Sequence, residues 1–348
     1  MTPVDYPVSM RLMTGLATLL LFQGCASITP PAPLTRYEFE QPHMGTLFKI
    51  TLYSTNKVSA RIASDAAFVK IAALDRMMTD YDPDSELMRL CRQPISKPVR
   101  VSNDLFIVLE ESLRIARASD GAFDPTIGPV IRQWRRARRQ ETLPTPEQIE
   151  HAQKSVGWQK LVLDPANRTA TLLAPDMQLD LGGIAKGYAA DKALAVLREN
   201  GISCALVAAS GDIAVGDAPP EQKGWRVTIG IPYSGSMFSK TFLLCNAAVS
   251  TSGDTEQFVV IGSQRYSHIV NPHTGIGLTN QLQVSVISRH ALHTDALSTT
   301  VCVLGEERGF EFTKKFPQTV AMILRYENGK LEFKASSQTI KLAGVIEE

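Results

Sequence analysis

The sequence predicts a protein of the α+β class, a single elaborated unit in which helices flank mixed sheets. Helical and strand-like patterns are mixed along the chain, strands become frequent in its second half, and no regular strand–helix alternation is present. No internal repeat or low-complexity linker divides the chain. Its 348 residues are 44% hydrophobic and 20% charged, close to the globular average, which excludes disordered, collagen-like and multi-span membrane proteins.

The first half of the chain contains patterns for three helices and three strands. In order, these are a strand over 48–53, helices over about 58–78 and 103–119, a helix beginning at 145–147, and a hairpin of 161–163 with 169–173. The first strand alternates apolar and polar residues, and the two longer helices repeat apolar residues at helical spacing. The third helix begins with a threonine cap followed by proline, and the intervening sequence DPAN closes the hairpin.

The second half of the chain contains patterns for five strands and two helices. The predicted strands cover about 204–209, 225–231, 243–249, 256–261 and 282–288, and the predicted helices cover about 184–199 and 293–303. The first of these helices is rich in alanine and stops at Asn200-Gly201, where glycine suits the end of a helix. The helix over 293–303 is the last one that the sequence predicts.

Overall charge and cysteine content exclude several classes of function. The net charge is +1, from 36 basic and 35 acidic residues, so we expect no nucleic-acid partner. The five cysteines are widely spaced and form no C-x-x-C pair, which argues against a zinc site or a disulfide-dense scaffold.

Residues 1–24 are predicted to form a lipoprotein signal peptide. The stretch 12–22 (LMTGLATLLLF) is uncharged and mainly apolar, and it is too short to span a bilayer as a helix. Gly24 and then Cys25 follow it, which is typical of a bacterial lipoprotein cleavage site and predicts lipidation of Cys25. An ordinary signal peptide with an incidental cysteine is the alternative.

The chain is predicted to fold only after a short tether. Residues 1–9 suit a signal peptide poorly, because they contain an aspartate and two prolines, so a translation start at Met10 is an alternative. Residues 25–35 are proline-rich and predict an extended, lipidated tether. The catalytic domain is then expected over 36–345.

The segment 179–191 (LDLGGIAKGYAAD) is the sharpest motif. A short apolar run meets a Gly-Gly turn and then opens a helix, so the backbone can approach a ligand and the free helix amides can bind phosphate. Lys186 lies in the first helical turn, where the helix dipole disfavours a positive charge, so we expect it to face an anion. The spacing differs from that of a P-loop, and a plain strand-to-helix corner is the alternative.

The segment 293–300 (HTDALSTT) places oxygen ligands on one helical face. Asp295 and Thr299 are four residues apart, with Ser298 beside them. A carboxylate and hydroxyl groups suit a hard cation such as Mg²⁺, which also binds substrate phosphates. A solvated helix face is the alternative.

Two loops contain further candidate site residues. The segment 121–129 (GAFDPTIGP) is rigid because it has two prolines and two glycines, so Asp124 would be held in fixed geometry and Phe123 could pack on a flat ligand. A purely structural turn is the alternative. In the loop 266–275, His268 is either a general base or a structural loop histidine.

The motifs occur together in one order, which is far more specific than any one of them. They are Met-Gly-Thr at 44–46, Tyr81 with Ser-Glu-Leu at 85–87, G-x-F-D-P-T-x-G-P at 121–129, L-D-L-G-G-I-A-K-G-Y-A at 179–189, G-D-I at 211–213, T-S-G at 251–253, S-H-I-x-N-P-x-T-G at 267–275 and D-A-L-S-T at 295–299. Over about residues 36–345 the chain resembles the ApbE family of FAD:protein FMN transferases. Many members of that family have the sequence A-G-G at the position where this chain has Ala209-Ser210-Gly211.

The resemblance implies a Mg²⁺-dependent enzyme that splits FAD at its pyrophosphate. It would attach FMN by a phosphoester to a Ser or Thr hydroxyl of a target protein and release AMP. The implied acceptors are periplasmic-side subunits of the sodium-pumping quinone reductase or of Rnf-type complexes. The enzyme would be lipid-anchored at the inner membrane, on the periplasmic side.

The resemblance also implies a set of site residues. Flavin contacts fall on Met44, Tyr81, Ala122, Phe123, Asp124, Asp180, Lys186, His268 and Ile269. Metal contacts fall on Asp295, Ser298, Thr299 and a backbone carbonyl near Gly183. His268 and Asp180 are the two candidates for the general base that the attacking hydroxyl requires.

Two other functions use the same residues. A flavin-binding lipoprotein without transferase activity needs only the aromatic side chains and the phosphate turn. An FAD pyrophosphatase needs the metal as well, with water replacing the hydroxyl. The arginines of 132–139 are a solvated face or a contact for anionic lipid head groups, if 130–140 is helical.

Overall fold

A central antiparallel sheet of eight strands organises the fold. The computed structural model describes residues 1, 32–233, 236–253, 258–327, 330–337 and 344–347. In spatial order the strands are β1 (Thr35–His43), β2 (Thr46–Ser54), β6 (Ala205–Ala209), β7 (Asp212–Val215), β10 (Ala247–Gly253), β13 (Leu282–Ser288), β14 (Val320–Glu327) and β15 (Lys330–Ala335). Every neighbouring pair is antiparallel. The predicted α+β class is therefore confirmed.

Eight α-helices accompany this sheet in the described part of the chain. They are α1 (Lys57–Met78), α2 (Glu86–Cys91), α3 (Asn103–Ala118), α4 (Gly128–Gln140), α5 (Pro146–Gln153), α6 (Ala185–Glu199), α7 (Ala291–Leu304) and α8 (Glu306–Thr313). Three of them begin at the side-chain caps Asn56, Ser102 and Thr145, whose oxygens accept a backbone N–H of the first turn. The helices expected over 58–78, 103–119, 184–199 and 293–303 are all present, but 293–303 is not the last.

Smaller sheets complete the fold. One has the order β16 (Val345–Glu347), β9 (Ser236–Leu244) and β8 (Trp225–Tyr233), a second has the order β3 (Val99–Arg100), β5 (Thr169–Leu172) and β4 (Leu161–Asp164), and a third pairs β11 (Phe258–Ile261) with β12 (Gln264–Ser267). A cluster of buried apolar side chains joins β8 and β9 to the central strands β10 and β13. Because α7 covers the other side of β13, all seven residues of that strand are buried.

The predicted strand over 243–249 is wrong. The chain turns at 245–246, where Asn246 has a left-handed φ of 49°, and the two halves belong to β9 and β10 in different sheets. Residues on both sides of the turn are buried, so the apolar run continues through it and hides the break. Asparagine adopts this conformation more readily than most residues, which is the one local signal of a turn.

Helices α6 and α7 pack with their backbones in close approach, which positions the functional site. A Cβ on Gly187 would lie 2.0 Å from the carbonyl oxygen of Ala291, so only glycine fits at this crossing. Asp191 of α6 accepts the backbone N–H groups of Ala291 and Leu292 at 2.9 Å and so caps α7. These contacts set the register in which the two helices face each other.

The predicted lipoprotein segment falls almost wholly outside the described residues. Only residue 1 of the predicted signal peptide is described, and Cys25 is not. None of the described helices has the length and apolar character that crossing a bilayer requires.

Candidate active site

A cavity of about 800 Å³ collects the motifs that the sequence analysis identified. This volume lies in the range of small-molecule and cofactor sites. The predicted site residues that line it are Met44, Tyr81, Ala122, Phe123, Asp124, Asp180, Gly183, Lys186, His268, Ile269, Asp295 and Thr299. Ser298 does not line the cavity: it is fully buried behind Thr299.

The turn between β1 and β2 contributes Met44 to the cavity. Met44 has a left-handed φ of 50°, which is uncommon for a residue with a side chain, and Gly45 follows it at 71°. The carboxylate of Asp75, in α1, accepts the backbone N–H of Met44 at 2.8 Å. This hydrogen bond holds the turn against α1 and keeps the methionine at the cavity.

The loop between α3 and α4 presents Phe123 to the cavity, and Asp124 holds that loop together. Asp124 accepts the hydroxyl and the backbone N–H of Thr126 at 2.6 and 2.8 Å, and the backbone N–H of Trp158 at 2.9 Å. Burial raises the pKa of Asp124 in spite of these hydrogen bonds. The rigid geometry expected for Asp124 is therefore present, and the carboxylate is occupied in building the loop.

The turn before α6 is held at Asp180. Its backbone N–H donates to Pro125 at 2.8 Å, and its carboxylate accepts the N–H of Gly182 at 2.9 Å. Gly183 then lies against both Phe123 and Thr299, because a Cβ built there would come within 3.4 Å of each side chain. The predicted helix follows at once, but the N–H groups of Ile184 and Ala185 donate to the carbonyl of Leu181, so these amides are not free to bind a phosphate as expected.

Arg135 of α4 joins two segments of the site that are distant in sequence. Its guanidinium forms ion pairs with Asp80 and, at 3.0 Å, with Asp180. It also lies over the ring of Tyr81, 4.4 Å from the centroid. Burial and repulsion from Asp80 raise the pKa of Asp180, and Arg135 partly offsets them.

Lys186 lies between two buried carboxylates. Its Nζ is 3.0 Å from Asp212 and 3.5 Å from Asp295, and it also donates to the carbonyl of Gly182 at 3.2 Å. Burial opposes the charged form of the lysine, but the two carboxylates raise the pKa of Lys186 above its ordinary value. The anions that face Lys186 are therefore two carboxylates of the protein itself.

Asp212 and Asp295 together carry more negative charge into the site than Lys186 balances. The second oxygen of Asp295 accepts the backbone N–H of Gly187, in the first turn of α6, at 3.0 Å. Burial and repulsion from Asp212 raise the pKa of Asp295 to about 7. A second cation beside Asp295 would relieve this repulsion.

The oxygen donors near Asp295 fit Mg²⁺. Thr299 lies one turn further along α7 and contacts Gly183, and its hydroxyl is 3.3 Å from that of Ser252. Among the described residues, no group of three or more His, Cys, Asp or Glu assembles into a metal cluster. Mg²⁺ needs no such cluster, because it commonly binds one or two carboxylates together with substrate phosphates.

Ser298 supports this oxygen cluster from behind. Its hydroxyl is 2.8 Å from the hydroxyl of Ser252 and 2.9 Å from the backbone carbonyl of Asp295. These contacts orient Ser252 and α7. They do not test whether Ser298 binds a metal ion, which stays a prediction.

Four residues complete the site that the sequence analysis did not select: Asp80, Arg135, Asp212 and Ser252. Asp212 and Ser252 lie within the quoted motifs G-D-I and T-S-G, which could have identified them. Arg135 was considered only with the other arginines of 132–139, as a solvated face or a lipid contact. The structure instead pairs it with Asp80 and Asp180, which lie 55 and 45 residues away along the chain.

Known proteins resemble this chain over most of its length. The FAD:protein FMN transferase of Haemophilus influenzae is 30% identical over 311 residues, which cover 86% of this chain and 89% of that protein. The FAD:protein FMN transferase of Vibrio cholerae is 28% identical over 330 residues, which cover 93% and 97% of the two chains.

A solved structure and a family model support the same relationship. The structure of the flavin transferase ApbE from Vibrio cholerae superposes with a TM-score of 0.79 at 25% identity, covering 89% of this chain and 99% of that one. The ApbE family model matches residues 44–324. The resemblance drawn from the ordered motifs is therefore confirmed, and this chain belongs to the ApbE family.

Proposed function

We propose that this protein is an FAD:protein FMN transferase that splits the pyrophosphate of FAD and releases AMP. The observation that carries the proposal is the junction of Lys186, the start of α6 and the Asp295–Thr299 oxygens in one cavity. A cation and hard-cation ligands are groups that a pyrophosphate requires. The relatives named FAD:protein FMN transferase support the same activity.

The rest of the cavity suits the flavin. Phe123 and Ile269 are buried apolar side chains on its wall, and Tyr81 is an exposed aromatic ring held over Arg135. A planar ring system packs favourably on such surfaces. Binding FAD between the aromatic wall and the α6 turn would fix the pyrophosphate relative to an incoming hydroxyl.

Asp295 and Thr299, with the backbone at Gly183, would hold Mg²⁺. When bound, the ion neutralises phosphate charge that otherwise repels the attacking oxygen. Lys186 adds a second positive charge on the other side of Asp295. The Nζ of Lys186 would bind a phosphate oxygen of FAD from its position beside the turn at Gly182.

His268 and Asp180 are the two candidates for the base that accepts the hydroxyl proton, and both line the cavity. Asp180 already receives hydrogen bonds at each carboxylate oxygen, from Gly182 and from Arg135. These contacts suit a positioning role for Asp180, and we propose His268 as the base because imidazole is the side chain that most often takes this role.

Replacing His268 with Ala is expected to lower the rate of FMN transfer at saturating FAD by about 100-fold, the usual contribution of a general base. FAD affinity, measured by fluorescence titration, should fall much less. Asp180→Asn serves as the matched variant, and we expect it to weaken FAD binding more than it slows transfer at saturation. A larger loss of saturated rate in Asp180→Asn than in His268→Ala would reverse the assignment.

A single incubation tests the proposed activity. The protein is mixed with FAD, Mg²⁺ and membranes from a bacterial strain whose own flavin transferase gene has been deleted, which supply unmodified acceptors. Covalent flavin on a denaturing gel and equimolar AMP in solution are expected. FMN and AMP without covalent flavin would indicate a pyrophosphatase, and bound but intact FAD would indicate a binding protein.

The acceptors are proposed to be periplasmic-side subunits of membrane redox complexes, modified on Ser or Thr. A lipid on Cys25 would hold the enzyme at the periplasmic face of the inner membrane, within reach of such subunits. The proposal depends on the short apolar stretch 12–22 that ends at a small residue and Cys25.

Replacing Cys25 with Ser is expected to remove lipid labelling and to release the protein from the membrane fraction. The physical reason is that the apolar stretch is too short to serve as a second anchor. Labelled palmitate incorporation and fractionation measure the two effects. A Cys25→Ser protein that remains both labelled and membrane-bound would contradict the assignment.

A further inference from the structure

Helix α4 is strongly basic on the side that it turns to solvent. It carries five arginines and no acidic residue, while the net charge of the entire chain is only +1. Arg132, Arg136 and Arg139 recur at intervals of four and three residues, so they lie on one face, and all three are exposed. We refer to these three residues as the arginine face.

The arginine face is not neutralised by the protein itself. Neither Arg132 nor Arg139 forms an ion pair with any acidic side chain in the described part of the chain, and Arg136 has a hydrogen bond only to Gln140. The contrast is Arg135 on the same helix, which pairs with two carboxylates. The exposed arginines therefore retain their full capacity to bind an anion.

The apolar side of α4 is already used in packing. Val130, Trp134 and Ala137 are buried in a cluster with α5 and the loop near Val270. The indole N–H of Trp134 donates to the carbonyl of Gly275 at 2.7 Å. Packing thus holds the helix in place, and the helix has no exposed apolar side chain that could enter a lipid bilayer.

The arginine face adjoins the opening of the cavity. Ile131, Arg135 and Arg138, on the neighbouring side of α4, line the cavity wall. Arg138 is also exposed, so this part of the helix lies where the cavity meets solvent. A protein segment that enters the cavity past Arg138 would pass close to the arginine face.

We propose that the arginine face binds carboxylate groups on the surface of the acceptor protein, beside the hydroxyl that receives FMN. This proposal rests on the proposed transferase function and names the chemistry by which the second substrate is recognised. All positive charges of the face are arginines, whose planar guanidinium can bind a carboxylate through two hydrogen bonds. Complementary charge at the rim of an interface also accelerates association and aligns the partners.

The test compares three variants of the full chain in nonionic detergent. Arg132→Gln/Arg136→Gln/Arg139→Gln removes the arginine face, and the corresponding triple Lys variant keeps its charge. Arg308→Gln/Lys314→Gln/Lys315→Gln removes the same charge near α8, where none of the three residues lines the cavity. The acceptor is the detergent-solubilised membrane fraction of the transferase-deleted strain, and the readout is covalent flavin.

At low acceptor concentration and low salt, the triple Gln variant is expected to transfer FMN about 10-fold more slowly than the wild type. This is the size of effect expected when several ion pairs at the rim of an interface are lost. Its affinity for FAD and its rate at high acceptor concentration should be unchanged. The Lys variant should lie between wild type and the Gln variant, and the α8 variant should match wild type. Added salt should slow the wild type more than the Gln variant.

Several outcomes would overturn the proposal. Equal transfer by the wild type and the Gln variant would do so, as would an equal loss in the α8 variant. If the Gln variant keeps its activity in detergent but no longer sediments with phosphatidylglycerol vesicles, while neither protein binds phosphatidylcholine, the face binds lipid. A wild type that forms no covalent flavin at all would refute the transferase function itself.

Discussion

Replacing Asp295 with Ala is expected to lower the rate of FMN transfer by about 1000-fold, because the variant loses the carboxylate proposed to hold the Mg²⁺ that would neutralise the phosphates. Asp295 is almost fully buried and lies between Lys186 and the start of α6. Its removal would deprive the oxygen cluster of its carboxylate while Thr299 and Ser252 stay in place. Transfer rates measured across a Mg²⁺ titration should show that added metal does not restore activity.

Two further variants separate this effect from a loss of structure. Asp295→Asn keeps the shape of the side chain and an oxygen for the N–H of Gly187, so it should fold normally and still be inactive. Ser298→Ala removes the neighbouring hydroxyl, which lies outside the cavity, and should cost far less activity. If Asp295→Ala were fully active and still required Mg²⁺, the metal would bind elsewhere.

Lys186→Glu is expected to weaken FAD binding by at least about 100-fold, and Lys186→Ala by about 10-fold, the range for hydrogen bonds to charged groups. Alanine removes a positive charge beside the phosphate turn, whereas glutamate adds a negative one next to Asp212 and Asp295. Riboflavin has no phosphates, so its affinity should change much less. Titrating FAD and riboflavin into the wild type and the variants measures the ratio of the two affinities.

The Lys186 variants are also expected to lower the stability of the fold. Either change leaves two buried carboxylates without their partner, so the ligand-free protein should also melt at a lower temperature. Lys186→Arg, which retains the charge, provides the matched control for this loss. Equal losses of affinity for FAD and riboflavin would indicate a structural role alone, and unchanged FAD affinity would remove Lys186 from the site.

Several elements could be predicted because their signals are local. The strand β13 (Leu282–Ser288) occupies the predicted residues 282–288, since a short apolar run suits a strand that is covered on both faces. Helix α6 starts after a Gly-Gly turn and is rich in alanine, as expected. By contrast, β1, β7, β14, β15, α2 and α8 were not predicted.

The break between β9 and β10 shows why local patterns fail at some points. The residues on each side of Asn246 belong to different sheets, yet both groups contribute side chains to the same buried apolar cluster. Burial depends on partners that are distant in the chain, so a single continuous run can serve two strands. Periodicity alone cannot separate them.

The candidate site likewise combines features that the sequence predicts with features that it does not. The four-residue spacing of Asp295 and Thr299 and the Gly-Gly turn before Lys186 are local features, and the sequence alone identified them together with the family. The pairing of Arg135 with Asp80 and Asp180, and of Lys186 with Asp212, joins segments that only the tertiary structure brings together. The sequence determined which groups are available because side-chain type and helical spacing are local properties. Which charges neutralise each other was decided by packing, because Coulomb energy depends on distance in space and on burial.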